Sequence, residues 1–276
     1  MTDTPIDSSA PPVGAARSAP VDRPRPGWIV GLRTILLAVL LAVSVRTFVY
    51  EPFSIPSASM NPTLMAGDYL FVAKYPYGYG SASFPWGTFE IDGRVGATPP
   101  ERGDVIVFTD PRGSDMNFIK RVIGLPGDTV QMQAGTVVLN GETLQRRRIS
   151  DYTQPIMPGR PCDGGRVLGQ DCVYPRYRQE LGDVGIDILS RGDREPLDET
   201  QLFTVPYGHV FVMGDNRDNS EDSRVSPEDG GFGMVPLTNI VGRADVVFMS
   251  VDGTGDWGTP SSLFDALRLD RIGRLP

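Results

Sequence analysis

The sequence predicts a mainly β protein: an antiparallel β-sheet domain carrying a smaller inserted β-rich segment, behind one N-terminal transmembrane helix. Three observations carry this. One apolar run, Trp28 to about Phe48, has membrane length: about 21 residues at 1.5 Å each give roughly 31 Å, against a ~30 Å hydrocarbon core. From Asp68 onward, short β-branched and aromatic runs are bounded by Gly, Pro or Asp. No convincing helical period separates those runs, so the strands are expected to pair antiparallel.

Residues 1–27, rich in Pro, Ala and Ser, bury too little surface to fold and read as a disordered cytoplasmic tail. Residues 28–50 form the anchor, with Arg33 and Arg46 placed to snorkel to opposite surfaces. Arg17, Arg23 and Arg25 precede the span and only Arg46 closely follows it, so the positive-inside rule puts the N-terminus in the cytoplasm and the rest outside. A cleaved signal peptide is the rival. It is disfavoured by the length of the run and of the preceding tail, and Ala42-Val43-Ser44 is a weak cleavage site.

The expected strands are Tyr69 to Lys74, Asp104 to Thr109, Asn117 to Gly124, Thr129 to Met132, Val210 to Met213 and Ile240 to Val251. Val137 to Glu142 reads as a hairpin with an Asn-Gly turn. The main β domain is thus 51–141 with 206–257. The aromatic stretch Tyr75 to Phe89 suits either core packing or a membrane-interface surface. Residues 142–205 have weaker strand signals and read as a smaller inserted domain, with nothing catalytic resting on it. Residues 258–276 read as a surface tail. Cys162 and Cys172 fall on the outer, oxidising side, where a disulfide is favoured over two thiols.

Composition excludes several functions. The 276 residues carry a net charge of −8 with pI about 4.8, which argues against nucleic acid as a partner. No CxxC or Cys/His cluster suggests zinc. The one histidine, His209, begins a strand with no carboxylate evidently placed to orient it, so a Ser-His-Asp triad is disfavoured.

Three stretches can carry chemistry. Pro56-Ser57-Ala58-Ser59-Met60-Asn61-Pro62-Thr63-Leu64 is a stiff turn able to hold one hydroxyl in place, or else a plain linker. In the strand around Lys120, alternation puts Phe118, Lys120 and Val122 on one face. That lysine either snorkels at an edge or is buried; burial would lower its pKa. A free lysine is neutral in about one molecule in 2,500 at pH 7, and lowering its pKa to about 8 takes roughly 3 kcal/mol. Gly214 to Arg224 is a polar turn held by Asp–backbone and Asp–Arg bonds. As a calcium loop its spacing fails: Arg217 occupies a ligand position and the turn glycine is missing.

These stretches, with Lys120 to Asp128, Gly67-Asp68-Tyr69 and Arg102-Gly103-Asp104-Val105, resemble the successive boxes of bacterial type I signal peptidase. The likeness covers Glu51 to Asp128 and Tyr207 to about Ser250. It implies a serine endopeptidase with Ser59 as nucleophile and Lys120 as general base. Ser57 and the Ser59 backbone N–H would form the oxyanion hole, Ser220 would position the amine, and Asp222 and Arg224 would brace the loop. Ile55, Met60, Leu64, Phe118 and Ile119 would line the substrate pockets. It implies no cofactor and no metal, and a monomer at the outer face of the cytoplasmic membrane whose partners are preprotein signal peptides and phospholipid. Ala58 departs from the glycine frequent between the two serines, and Val225 to Gly231 is longer than in the shortest members. The rivals are a narrower pilus or conjugation peptidase with the same dyad, and an anchored binding module whose Ser and Lys are structural. Self-cleaving SOS-type repressors share the dyad but need a DNA-binding helix-turn-helix.

Overall fold

The computed structural model describes residues 27–84, 91–156, 162, 166–168, 171–192, 194–255 and 259–275. The expected N-terminal tail and the aromatics Trp86 and Phe89 lie outside the described residues. Helix α1 spans Gly27–Phe48, and Val30–Phe48 within it is long and apolar enough to cross a membrane. Its sequence is mostly Leu, Val, Ile and Ala, with Arg33 near the start and Arg46 in the last turn, and its apolar residues are not gathered on one face. The chain divides after Leu41 into two units, the second carrying every described strand.

In the second unit β1 is Tyr50–Ser54, β2 Asp68–Ala73, β3 Val105–Thr109 and β4 Asn117–Gly124. Next come β5 Thr129–Gln133, β6 Thr136–Leu139, β7 Glu142–Thr143, β8 Arg146–Arg148, β9 Tyr152–Pro155, β10 Arg166–Leu168 and β11 Asp171–Tyr174. They are followed by β12 Arg176–Leu181, β13 Val184–Leu189, β14 Phe203–Thr204, β15 His209–Met213, β16 Val235–Pro236, β17 Ile240–Ser250 and β18 Gly273–Arg274. The main sheet runs β1-β2-β17-β3-β4-β15-β16, with β18 on β17, and every pairing is antiparallel. Asn140 and Gly141 turn the β6–β7 hairpin with φ of 54° and 82°, the left-handed pair an Asn-Gly turn requires.

Two expectations change here. Residues 142–205 do not stand apart: Leu181, Ile186 and Ile188 share one apolar core with Ile123, Val130, Phe211 and Met213. Their short strands are too small to bury a face alone, so they pack on the main unit. Residues 258–276 are no free tail. β18 pairs with β17, and Arg268 and Arg271 reach the fully buried Asp68 carboxylate. A buried carboxylate needs such partners. Of the aromatic stretch, Tyr77 is buried and donates to Asp104, Tyr75 is exposed, and Phe48, Tyr79 and Phe84 meet edge-on or tilted. Its described part therefore serves both the core and the surface.

Candidate active site

The turn bearing Ser59 is held at both ends. Gly67 donates its backbone N–H to Ile55 and Ile55 donates to Asp68, closing the loop on β1 and β2. Inside it, Asn61 N–H bonds Ala58 O (3.1 Å) and Leu64 N–H bonds Met60 O (2.9 Å), and the Asn61–Pro62 peptide is cis. Met60 and Leu64 point down into a cluster with Leu70, Val72, Val105 and Val107, anchoring the turn by burial. Ser59 itself is 8% exposed, and its hydroxyl lies 3.4 Å from that of exposed Ser57.

Lys120 lies in the middle of β4, opposite Ile106 of β3. It is 4% exposed, so the structure chooses burial over snorkelling. Its Nζ donates to Ser59 Oγ at 2.8 Å and to Ile119 O at 3.0 Å, and neither partner is charged. Burial pushes the Lys120 pKa down to about 8, against the opposing pull of Asp222, Glu221 and Asp215. At that value about one molecule in ten carries a neutral amine at pH 7. All three opposing carboxylates are already paired: Asp222 with Arg224, Asp215 with Arg121, and Glu221 with Arg112. Their arginines offset the field that would otherwise hold the ammonium charged.

The loop after β15 closes the site. Asn216 donates its N–H to Ser59 O (3.0 Å) and its side-chain Nδ2 to Ala58 O (3.1 Å). Gly214 is the closest approach: a Cβ there would sit 2.3 Å from Ser220 Oγ and 2.5 Å from Ser59 O, so only glycine fits. Asp222 accepts from Gly214 N–H and holds Arg224 through both oxygens, the pair wholly buried. Burial would raise the Asp222 pKa, but Arg224 outweighs it and holds the carboxyl below its usual value. Arg121 binds Asp215 through two nitrogens, and Thr63 Oγ1 donates to the same carboxylate (2.6 Å), tying β4 and the Ser59 loop together.

Ser57, Ser59, Lys120, Ser220, Asp222 and Arg224 are thus gathered in one place, although Ser220 makes no hydrogen bond to Lys120. Ile55, Met60, Leu64 and Ile119 share one apolar cluster. Phe118 does not join them: neighbouring residues of a strand face opposite sides, and Phe118 stacks on Phe108 and meets Phe232 at a tilt in another. His209 is at the far end of β15, hydrogen-bonded to Tyr207 O. Cys162 and Cys172 are joined by a disulfide. Sequence reasoning treated Asn216 and Gly214 only as parts of a polar turn. Asn216 holds the Ala58 and Ser59 carbonyls and Gly214 lets the two backbones approach, for which the glycine after a strand was the one available signal.

A serine hydroxyl held against a buried amine is a layout that can supply a nucleophile and its base. Residues 28–249 match the family model described as Signal peptidase, peptidase S26. Signal peptidase I of Rickettsia akari (strain Hartford) is 34% identical over 214 residues, 77% of this chain and 76% of that protein. Signal peptidase I of Rickettsia canadensis (strain McKiel) is 31% identical over 253 residues, 88% and 91% of the two chains. A solved signal peptidase I from Enterococcus faecalis V583 is 28% identical, covers 53% of this chain and 97% of its own, and superposes with a TM-score of 0.29. The chain belongs to the signal peptidase family, peptidase S26.

Proposed function

We propose that this protein is a membrane-anchored serine endopeptidase that removes N-terminal signal peptides from exported preproteins. The carrying observation is the 2.8 Å contact between Ser59 Oγ and a buried lysine with no carboxylate partner of its own. In the neutral state the Ser59 hydroxyl donates to Lys120 Nζ. As Oγ attacks the scissile carbonyl carbon, the proton passes to the amine. The Ser59 N–H and the Ser57 hydroxyl meet the developing oxyanion. The new ammonium then protonates the leaving amine, and a water deprotonated by Lys120 releases the acyl group. Asp222 and Arg224 hold the 214–224 loop against Ser59, with Ser220 over Gly214 beside it.

The orientation follows from the arginine count: N-terminus in the cytoplasm, site on the outer face of the cytoplasmic membrane, one pass through it. The protein acts as a monomer on signal peptides held in phospholipid, with no nucleic acid involved. An extended substrate points alternate side chains the same way, so the first and third residues before the cut enter pockets together. Ile55 and Ile119, 4% and 8% exposed above the fully buried Met60 and Leu64, leave room only for shallow pockets. Small residues are therefore required at both positions, an Ala-X-Ala preference. Phe118, on the opposite face of β4, is left out of this wall.

The test is a preprotein panel cleaved by wild type, Ser59→Ala and Lys120→Arg. Both variants are expected to lose at least ~10³-fold in turnover, because arginine cannot deprotonate and alanine has no nucleophile. His209→Ala is expected to keep its rate. Equal cleavage with Leu or Lys in place of the alanine before the cut would remove the specificity claim, and Ile119→Ala is expected to relax it.

A further inference from the structure

The short sheet of β9, β10 and β11 carries the Cys162–Cys172 disulfide and meets the active site at two points. At the first, Gln154 Oε1 of β9 accepts a hydrogen bond from Asn61 Nδ2 at 3.2 Å. Asn61 is 2% exposed and lies two residues beyond Ser59 in the same turn. Gln154 stands directly opposite Cys172 in the β9–β11 register. The bond to the Ser59 turn therefore starts at the rung that the disulfide closes.

At the second point, Leu189 packs with Cys172, Tyr174, Tyr152 and Cys162 in one buried cluster. The Leu189 N–H donates to Asp215 O and its carbonyl accepts from Arg217 N–H, each at 2.9 Å. These two bonds bracket Asn216, the residue that holds the carbonyls of Ala58 and Ser59. Gln154 thus ties the sheet to the turn carrying Ser59, and Leu189 ties its apolar cluster to the loop that closes over that turn.

We propose that the disulfide-bonded sheet is a clamp that sets the distance between Ser59 and Lys120, with Gln154 as a positioning residue acting through Asn61. This rests on the reading of Ser59 as nucleophile and Lys120 as base. The physical case is one of stiffness. A three-stranded sheet with strands of three or four residues holds its shape poorly alone, and closing the loop from Cys162 to Cys172 removes much of its freedom. A displacement of about 1 Å between reacting atoms costs on the order of 10²-fold in rate. Loosening the clamp also opens the amine to water and relieves the burial that keeps it neutral.

The chain's lysines are Lys74 and Lys120, so Lys120 can be followed directly. The experiment uses full-length protein in detergent micelles, carrying lysine labelled with carbon-13 at Cε. It compares wild type, Cys162→Ala/Cys172→Ala, Gln154→Leu and Gln154→Glu by preprotein-cleavage kinetics and by NMR titration of Lys120. The double variant and Gln154→Leu are expected to lose about tenfold in kcat with KM within about twofold. Their Lys120 midpoint is expected to move up by about half a unit. Gln154→Glu keeps an oxygen to accept from Asn61 and is expected to hold both values near wild type. A role in folding alone would lower the melting temperature without moving the midpoint. Unchanged kcat and unchanged midpoint in both disruptive variants would overturn the clamp. If wild type cleaves no preprotein, the endopeptidase reading fails while the Lys120 midpoint still decides the clamp. If the double cysteine variant does not fold, Gln154→Leu decides it.

Discussion

Two lysines are buried in this protein, and they sit in opposite electrostatic settings. Lys74, just after β2, is wholly buried with the Glu51 carboxylate 2.7 Å from its Nζ. Lys120, in β4, is buried beside a serine hydroxyl and a backbone carbonyl. Around Lys120 the carboxylates are present but taken, each by its own arginine. Burial alone does not make a base. What separates the two sites is whether a carboxylate is left over to hold the ammonium charged.

The sharpest way to break the comparison is to replace each lysine by methionine. Lys120→Met is expected to abolish cleavage, by ~10³-fold or more, while stability at pH 7 stays equal or rises by about 1–3 kcal/mol, since an unpaired buried ammonium is a cost. Lys74→Met is expected to do the reverse. It strands Glu51, costs about 2 kcal/mol because that carboxylate keeps some contact with water, and leaves kcat near wild type. Chemical denaturation alongside a cleavage assay reads both. Loss of activity in Lys74→Met at temperatures where it remains folded would erase the distinction.

The next test is pH. Activity is expected to rise with pH and level off above about 8, as Lys120 loses its proton. The sign for stability follows from the same shift. Between about 8 in the folded protein and 10.5 in the unfolded chain, the unfolded state binds more protons, so this lysine's contribution to stability rises with pH across that window. Lys120→Met lacks that rise, so the difference between wild-type and variant denaturation midpoints is expected to shrink from pH 8 to 10. A rate profile still climbing at pH 10 would mean that the amine is not perturbed.

What was legible beforehand follows the same division between local and long-range physics. The strand Asn117–Gly124 was readable because its β-branched run is bounded by Asp and Pro, and the Asn140-Gly141 turn because few other pairs accept that backbone. Ser59 and Lys120 could be named from the order of the boxes, and alternation alone placed Lys120 away from Arg121. Alternation also separates Phe118 from Ile119, which the resemblance had joined in one wall. The tie between Asp68 and Arg271 spans about 200 positions with no local period to announce it. The same holds for the Gln154–Asn61 contact, where a weak strand in an irregular segment meets a turn that sequence reasoning had treated as self-contained.

The finest test asks whether the arginines around Lys120 do what the pairing implies. Arg112 is the one to change, because it lies outside the buried network and its loss leaves the loop's internal bonds in place. It bridges Asp110 and Glu221, and its guanidinium lies 5.8 Å from the centre of the Phe118 ring. Arg112→Gln keeps much of the stem and removes the charge together with the guanidinium's bonds to Asp110, Glu221 and the Gly230 carbonyl. Glu221 then acts on Lys120 without its counterion. Its pull favours the ammonium, so the activity profile is expected to shift to higher pH. Glu221 is exposed, with a side chain 45% accessible, so the shift is expected to be small, about 0.2–0.5 of a pH unit at low salt. It should fade as ionic strength rises toward ~1 M, where the screening length falls to about 3 Å. Measuring kcat/KM against pH at two salt concentrations separates this from a packing effect on Phe118, which salt would not reverse. A shift to lower pH would show that Arg112 acts on the amine by some route other than by occupying Glu221.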